Sequence, residues 1–391
     1  MPLSDLRVIE LATVLAGPNC GRYLADFGAD VIKVERPGVG DTTRSLGWRD
    51  PDDGVTFFWK LVGRGKRSVE LDLTTVSGRQ ALLALVGSAQ VVIENFRPGK
   101  LEALGLGPEV LHAHNPDLVI TRVSGFGQDG PYSRRAGFAT LAEAMSGFAA
   151  INGSAESGPT LPPIALTDEV TALVAAFATM VALHSGVGQV VDVNLLESML
   201  QLMGPLLSAY LRTGVLQERL GSQIPYTVPR NTYRCADGRW VAVSTSAETV
   251  ARRVMELVGL GSDGRFASFD GRVAHRDEVD GALADWVAQR TSEVVLAEFD
   301  RVEAAAALVY DMADLAADPH LAERGAVIDV GGTPMQGLVA RLSATPGGVR
   351  WPARSLGADT DAVLAELEAS IRSAGAVAET DQGPDPGISP S

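Results

Sequence analysis

The chain has 391 residues, 46% hydrophobic and 21% charged, which is typical of a globular protein whose core is large enough for two domains. A formal net charge of −15 argues against a general nucleic-acid-binding protein. The two cysteines, Cys20 and Cys235, lie far apart and outside any metal-ligand spacing, so we expect no metal site and no disulfide framework, and a reducing, cytoplasmic compartment.

Two apolar stretches are candidates for a signal peptide or a membrane-spanning helix, and neither has the sequence pattern of such a segment. The N-terminal 17 residues are interrupted by Asp5, Arg7 and Glu10, so we expect no signal peptide. Residues 170–187 are apolar but rich in Ala and Thr and follow two acids, which favours a buried helix. The sequence therefore predicts no membrane partner.

Charge is distributed unevenly along the chain. Residues 1–150 carry 16 Lys and Arg against 17 Asp and Glu, whereas the remaining 241 residues carry 17 against 31. Residues 137–211 contain no Lys or Arg. A polyanionic ligand is therefore expected to bind to the N-terminal part.

Short β-rich segments alternate with helical patterns in the first 150 residues. The predicted strands are Leu6–Leu11, Asp30–Glu35, Ser68–Leu73, Gln90–Glu94 and Asp117–Ser124. Helical patterns over Cys20–Phe27 and Gly78–Gly87 lie between them, which indicates βαβ units and a parallel sheet. Ligands bind such sheets at the carboxyl ends of the strands.

The remainder of the chain predicts further helices and a second, smaller domain. The predicted elements are the apolar helices Phe138–Ala150, Val170–His184 and Leu195–Arg212, the strand Gln189–Val193, the hairpin Asn231–Cys235 with Arg239–Ser244, and the helices Ala247–Val258 and Arg276–Gln289. The hairpin turns at Ala236-Asp237-Gly238, and the pattern after Gly221 indicates an α+β domain.

Asp168 occupies a distinctive position before one of these helices. Pro162 and Pro163 end the preceding element, and an apolar helical run begins directly after Thr167-Asp168-Glu169. The exposed N–H groups and the dipole of a helix N-terminus stabilise a carboxylate. From these residues alone, Asp168 is either a helix cap or a functional carboxylate.

Four stretches in this order and spacing resemble one enzyme family. They are AGPNCGRYLADFGADVIKVERPGVGD (16–41), GKRSVELDL (65–73), ENFRPGKLEALGLG (94–107) and GFGQDGPYSRRAGFATLAEAMSG (125–147). Together they resemble the family III coenzyme A-transferases, which include formyl-CoA transferase, carnitine CoA-transferase and α-methylacyl-CoA racemase. The resemblance is strong over residues 1–200 and can be followed to about residue 370.

The resemblance implies an α/β fold with a Rossmann-like parallel sheet in the large domain, a smaller α+β domain and an interlocked homodimer. It places the large CoA-binding domain at 1–200 with 326–373 returning to it, a linker helix region at 201–225 and the small domain at 226–325. Residues 374–391 are rich in Gly, Pro, Ser and Asp, which predicts a disordered tail.

The implied activity is transfer of CoA between an acyl-CoA and a carboxylic acid through an aspartyl-CoA thioester. Asp168 matches the catalytic aspartate of the family. A carboxylate can attack a thioester without removing a proton, so no catalytic histidine is needed. The CoA thioester is a substrate, and the resemblance implies no permanently bound cofactor.

The residues that match CoA-binding positions of the family lie in five loops. They are Leu15, Ala16, Arg36, Leu71, Asp72, Leu73, Thr74, Asn95, Phe96, Arg97, Arg135, Gly137, Phe138 and Ala139. Arginines suit the CoA phosphates because the guanidinium binds them in a bidentate manner. Lys66 and Arg67 could either join this site or belong to a solvated rim.

Three other functions stay open from the sequence. A racemase or an intramolecular CoA isomerase is disfavoured because Phe138 stands where the racemases carry His. A catalytically degenerate acyl-CoA-binding protein is suggested by Ala103 and Ala139 and by the lack of a glycine run in 222–234. A nicotinamide oxidoreductase lacks its glycine fingerprint.

The same substitutions bear on the acyl group. Leu15 and Ala139 replace polar side chains that occur in the family, so we expect an acyl group larger or more hydrophobic than formyl. Tyr226 and Arg230 either reach an acyl carboxylate or serve as a core tyrosine and a surface arginine.

Overall fold

The computed structural model describes residues 1–245 and 247–380. These residues form two compact units: the first contains 1–146, 162–202 and the described residues from 325 onward, and the second contains 147–161 and 203–324. The chain thus leaves the first unit twice and returns to it for its C-terminal part.

The described β-strands are β1 (Arg7–Glu10), β2 (Asp30–Glu35), β3 (Arg67–Glu70), β4 (Val91–Glu94), β5 (Val119–Ser124), β6 (Gln189–Asn194), β7 (Arg230–Arg234), β8 (Trp240–Ser244), β9 (Ala305–Leu308), β10 (Val327–Val330) and β11 (Thr333–Gln336). The described α-helices are α1 (Ala16–Asp26), α2 (Phe57–Val62), α3 (Val76–Val86), α4 (Lys100–Ala103), α5 (Pro108–His114), α6 (Ala139–Met145), α7 (Phe148–Ile151), α8 (Leu166–Ser185), α9 (Leu195–Leu202), α10 (Leu206–Thr213), α11 (Glu248–Leu257), α12 (Phe269–Ala274), α13 (Arg276–Ala288), α14 (Ser292–Arg301), α15 (Met312–Ala317), α16 (Pro319–Glu323) and α17 (Thr360–Thr380). Short 3-10 helices cover Thr42–Ser45 and Gly264–Phe266.

A six-stranded parallel sheet organises the first unit, in the order β3-β2-β1-β4-β5-β6. This is the Rossmann-like order, and it confirms the fold class predicted from the alternating strands and helices. The strand order reverses at β1, where Val8 pairs with Val31 of β2 on one side and Val91 of β4 on the other. The adjacent crevice at the carboxyl ends of β1 and β4 is where ligands bind in such sheets.

The four inner strands of the sheet, β1, β2, β4 and β5, are almost entirely buried. Ile9, Ile32 and Val92 are fully buried, and Leu82 of α3 and Val363 of α17 pack in the same cluster. The hairpin of β10 and β11 also belongs to this unit. Burial on both faces is the expected environment of parallel strands.

The second unit is built on the antiparallel sheet β7-β8-β9. Side chains alternate along β8, so that Val241 and Val243 face the core of this unit. The same core contains Val279 and Leu283 of α13 and Phe299 of α14. The predicted hairpin is therefore confirmed as β7 and β8. The third strand, β9, has the sequence AAAL, which carries no β-propensity signal.

Two predicted helices are each divided in the structure. The prediction Phe138–Ala150 is interrupted at Gly147, whose φ of 92° cannot continue a right-handed helix, so α6 and α7 replace it. The prediction Leu195–Arg212 is interrupted at Gly204-Pro205, between α9 and α10. Both interruptions fall beside boundaries between the two units.

The C-terminal segment also differs from the prediction. Helix α17 continues to Thr380, so residues 374–380 of the predicted disordered tail are helical. The rest of that predicted tail, 381–391, lies outside the described residues.

Helix α8 is long and apolar enough, by length and composition alone, to cross a membrane, with a mean hydropathy of 1.6. A third of the residues in that stretch are buried within the protein, and core helices of water-soluble proteins pass the same test. Ala172, Ala175 and Ala182 form its buried side.

Candidate active site

Two adjoining cavities open at the carboxyl edge of the parallel sheet. The first, which we call the basic cavity, has a volume of about 290 Å³ and lies across the ends of β1 to β4. The second, which we call the Asp168 cavity, has a volume of about 420 Å³ and lies beside β5 and the starts of α1 and α8. Thr13 lines both, so the two cavities share a wall.

Most of the residues assigned from the sequence line one of these cavities. In the basic cavity these are Arg36, Leu71, Asp72, Leu73, Thr74 and Phe96. In the Asp168 cavity these are Leu15, Ala16, Asn95, Arg97, Gly137, Phe138, Ala139 and Asp168. Arg135 lines neither cavity, and its guanidinium lies 4.7 Å from the ring centre of Tyr132.

Asp168 is the third residue of α8, as its sequence position predicts, and its side chain is mostly buried. Among the described residues its carboxylate has no hydrogen-bond partner, so it remains available to a ligand. Burial, followed by the negative charges of Glu169 and Glu143, raises the pKa of Asp168 to about 6. The sequence led us to expect an ordinary carboxylate favoured by the helix N-terminus; burial outweighs that effect here.

The two neighbouring carboxylates have structural partners. Glu169 accepts hydrogen bonds from Asn19 Nδ2 (2.7 Å) and Tyr23 Oη (2.9 Å) of α1. Glu143 of α6 accepts one from Thr167 Oγ1 (2.9 Å). Residues on either side of Asp168 thus tie the start of α8 to α1 and α6. These contacts could not be predicted from sequence patterns, because they join segments up to 150 residues apart.

The basic cavity carries positive charge near its mouth. Arg36 follows β2, Lys100 begins α4, and both side chains are exposed. Leu71 to Thr74 form another wall, where Asp72 accepts hydrogen bonds from Thr74 N (2.9 Å) and Thr74 Oγ1 (2.6 Å). Of the three carboxylates that also line this cavity, Glu35 pairs with Arg44 and Asp41 pairs with Lys33, while Asp72 lies on the wall. The exposed cations Arg36 and Lys100 beside apolar side chains suit a ligand that carries phosphates and an aromatic base.

The loop after β4 separates the two cavities and is firmly held. Asn95 Oδ1 accepts from Thr13 N (2.8 Å), and Asn95 Nδ2 donates to Thr13 O (2.6 Å). Phe96 N donates to the buried Glu94 carboxylate (2.7 Å), which also pairs with Arg122 Nε (2.6 Å). Asn95 is therefore engaged with the backbone at the shared wall, while Arg97 stays exposed.

Gly137 has a packing role at the Asp168 cavity. A Cβ added to Gly137 would lie 2.5 Å from Gly125 Cα, so the loop before α6 touches the end of β5 backbone to backbone. Phe138, 66% exposed, and Ala139 follow directly from this contact. The glycine is required for the close approach, which a sequence pattern alone does not reveal.

Lys66 and Arg67 are not part of either cavity. Lys66 is buried and pairs with Glu10 (2.7 Å), and Arg67 pairs with Asp30 (2.6 Å) and with Glu366 (2.8 Å). These cations form ion pairs inside the first unit. Neither of the two interpretations considered for them, a place in the CoA site or a place on a solvated rim, is therefore correct.

Several cavity residues were missed by the sequence analysis. They are Thr13, Lys100, Ser124, Thr140 and Leu195, among others. Lys100 could have been found, since it lies within the quoted stretch 94–107. No histidine lines either cavity, and within 1–245 and 247–380 no group of three or more His, Cys, Asp or Glu side chains could hold a metal ion.

Comparison with known proteins gives one consistent result. The family model of CoA-transferase family III matches residues 3–360. The chain is 42% identical to a succinyl-CoA–D-citramalate CoA-transferase of Chloroflexus aurantiacus, over 94% of each protein. It is 35% identical to a succinate–glutarate CoA-transferase of Agrobacterium fabrum, over 95% of this chain and 97% of that protein.

A solved structure agrees with these matches. A CAIB/BAIF family protein from Brucella suis superposes with a TM-score of 0.83 at 34% identity, covering 94% of this chain and 99% of that one. The chain therefore belongs to CoA-transferase family III, and it is an enzyme that moves coenzyme A between an acyl-CoA and a carboxylic acid.

Proposed function

We propose that transfer proceeds through a covalent aspartyl-CoA thioester on Asp168, with succinyl-CoA as donor and a second short dicarboxylic acid as acceptor. The main observation in support is that the carboxylate of Asp168 has no hydrogen-bond partner among the described residues. It lines a cavity that adjoins the basic cavity, where Arg36 and Lys100 lie. The substrate class is supported by the relatives, whose names pair succinyl-CoA or succinate with citramalate or glutarate.

The chemistry follows from the state of Asp168. Its ionised carboxylate attacks the thioester carbon, the carbon–sulfur bond breaks, and a mixed anhydride forms while CoA leaves as thiolate. The thiolate then attacks the Asp168 carbonyl carbon and expels the donor acid as its carboxylate. The acceptor carboxylate repeats the two steps in reverse order, so no proton and no electron is gained or lost.

The raised pKa suits this nucleophile. With a pKa of about 6, Asp168 is about nine-tenths ionised at pH 7, and it is a stronger base than an ordinary aspartate. Burial thus increases reactivity while leaving most of the enzyme in the reactive form.

In this proposal the CoA phosphates bind at the mouth of the basic cavity. Arg36 and Lys100 supply the positive charge, and Leu71 to Thr74 with Phe96 receive the adenine. The pantetheine arm passes the wall made by Thr13 and Asn95 and brings the thioester to Asp168. Arg97 is the one cation lining the Asp168 cavity among the described residues.

A racemase receives no support from the site. Phe138 lines the Asp168 cavity where the racemases carry a histidine, and no other histidine replaces it there. Exchange of the α-proton needs acid and base groups on opposite faces of the carbon.

Trapping the intermediate tests the proposal. Native protein incubated with succinyl-CoA and no acceptor should gain the mass of CoA minus water, and borohydride should convert Asp168 to the corresponding alcohol in the peptide that contains it. Asp168→Asn should show no adduct. Glu169→Gln should still show it, because the glutamine Oε1 can accept from Asn19 Nδ2 and its Nε2 can donate to the Tyr23 hydroxyl, so the start of α8 stays tied to α1. An adduct that survives in Asp168→Asn would refute the assignment.

A further inference from the structure

The segment between β1 and α1 has an unusual backbone at the wall of the Asp168 cavity. Val14 has a φ of 69°, in the left-handed region that a β-branched residue rarely adopts. The next residues, Leu15 and Ala16, line the cavity, and α1 starts there without a side-chain cap. Such a conformation persists only when the surrounding structure enforces it.

Side chains from four other segments bind this backbone. Asn95 pairs with both polar groups of Thr13. Asp41 Oδ1 accepts from Val14 N at 3.2 Å. Lys33 Nζ donates to Ala12 O at 2.8 Å, and Lys66 Nζ donates to Pro18 O at 2.6 Å. Residues 12–18 are therefore fixed at four of their seven positions by groups far away in sequence.

The charged members of this set neutralise one another. Lys33 Nζ lies 2.8 Å from Asp41 Oδ2 and 2.9 Å from Glu10 Oε1, and Lys66 Nζ lies 2.7 Å from Glu10 Oε2. Their side chains are at most 2% exposed. Asp41 also accepts from Thr43 N (2.9 Å) and Thr43 Oγ1 (2.8 Å). Buried charges in mutual contact resist displacement, so the network gives the segment a rigid support.

We propose that Asp41 is a positioning residue for CoA transfer: anchored by Lys33, it holds Val14 in the left-handed conformation and so fixes the N–H groups at the start of α1 toward the Asp168 cavity. The inference rests on the proposed function, since it takes Asp168 as the attacking group. When Asp168 attacks, negative charge develops on the thioester oxygen, and preorganised N–H donors stabilise it.

Replacement of Asp41 tests this role. In Asp41→Ala the kcat should fall roughly 100-fold, the magnitude associated with loss of an oxyanion donor. Asp41 also lines the basic cavity, but its side chain is fully buried against Lys33, and Arg36 and Lys100 still bind the phosphates in the variant. The KM for acyl-CoA should therefore change by less than about threefold. Asp41→Asn keeps an acceptor for Val14 N–H and Thr43, so its kcat should lie between those of the native enzyme and Asp41→Ala. It replaces Asp41→Ala as the test variant if Asp41→Ala does not fold.

A matched lysine–aspartate pair in the same unit controls for lost stability. Lys60 pairs with Asp50, and neither residue binds the 12–18 segment. Asp50→Asn should lower the melting temperature and leave kcat unchanged. If Asp50→Asn lost as much kcat as Asp41→Ala, the effect of Asp41 would be explained by lost stability alone. That result would overturn the proposal.

A second substitution separates backbone geometry from charge. Glycine adopts a φ near 69° without strain, so Val14→Gly placed in the Asp41→Ala background should recover roughly tenfold of the lost kcat. A double variant no faster than Asp41→Ala, or an Asp41→Ala variant within about threefold of native kcat, would overturn the proposal. Absence of any Asp168–CoA adduct in native enzyme would instead refute the proposed function, so the two failures are distinguishable.

Discussion

Asp168 has a pKa raised to about 6 by burial and by Glu169 and Glu143, and a carboxylate attacks a thioester only when it is ionised. We therefore expect kcat to be level above about pH 7 and to fall about tenfold for each pH unit below the pKa. A pH profile of kcat with saturating succinyl-CoA measures this. A level profile between pH 5 and 8 would show that Asp168 ionisation does not limit the rate.

The neighbouring Glu143 offers a variant that shifts this profile. Glu143→Gln keeps an acceptor for Thr167 Oγ1 and removes one negative charge near Asp168. Because a like charge raises the pKa of a carboxyl group, the acid limb of the profile should move to lower pH. Glu109→Gln, on the exposed side of α5, should leave the limb in place. A shift to higher pH in Glu143→Gln would contradict the electrostatic cause.

At the residue scale, sequence reasoning reached the identity of Asp168 but not its environment. The prolines before it and the apolar run after it placed it correctly in the first turn of α8. Its raised pKa depends on Glu143, 25 residues earlier, and on burial that only the folded chain defines. The same holds for the buried contact between Asp41 and Lys33, which no sequence pattern indicates.

At the scale of elements, the contact between Gly125 and Gly137 holds the loop before α6 against the end of β5. In Gly137→Ala the new Cβ would lie 2.5 Å from Gly125 Cα, so the loop must move and carry Phe138 and Ala139 with it. We expect a stability loss of about 1–3 kcal/mol, typical of overpacking, and a lower kcat/KM for acyl-CoA. Thermal unfolding and steady-state kinetics measure the two effects.

Gly281 gives the matched alanine substitution. It lies on the exposed side of α13, and an added Cβ there would meet nothing within 4 Å. Gly281→Ala should therefore stabilise the protein by about 0.5–1 kcal/mol without affecting kinetics. Equal behaviour of the two variants would show that the close approach at Gly137 has no consequence.

Helices and strands were predicted well where a clear pattern of apolar residues is bounded by residues that end a helix or a strand. The strand Asp30–Glu35 was predicted with its observed bounds, since the β-branched residues Val31, Ile32 and Val34 favour a strand and Arg36-Pro37 ends it. The two divided helices were misjudged because their apolar patterns continue across Gly147 and Gly204, whose positive φ values break the helices. Strand β9 was missed because three alanines pair in a sheet only through its neighbour β8.

At the scale of the whole molecule, α8 presents an apolar stripe that the described residues leave uncovered. Leu173, Phe177 and Val181 are spaced four residues apart and are 42%, 71% and 53% exposed. A contiguous apolar surface on a water-soluble protein usually marks an interface. We propose that a second copy of the chain covers it, in line with the homodimer implied by the sequence resemblance.

Sedimentation velocity decides between one copy and two. The native protein should give a sedimenting species of about twice the 41.0 kDa mass of a single chain. Phe177→Asp should shift the mass toward that of one chain, because a carboxylate buried without a partner at the interface opposes association. Val76→Asp is the matched control, since Val76 is also exposed (63%) but stands at the start of α3, where a helix tolerates a negative charge. It should remain dimeric. A native protein that sediments as one chain would show that the stripe has another occupant, and a lipid surface would then be the next to test, because α8 has the length and composition of a membrane span.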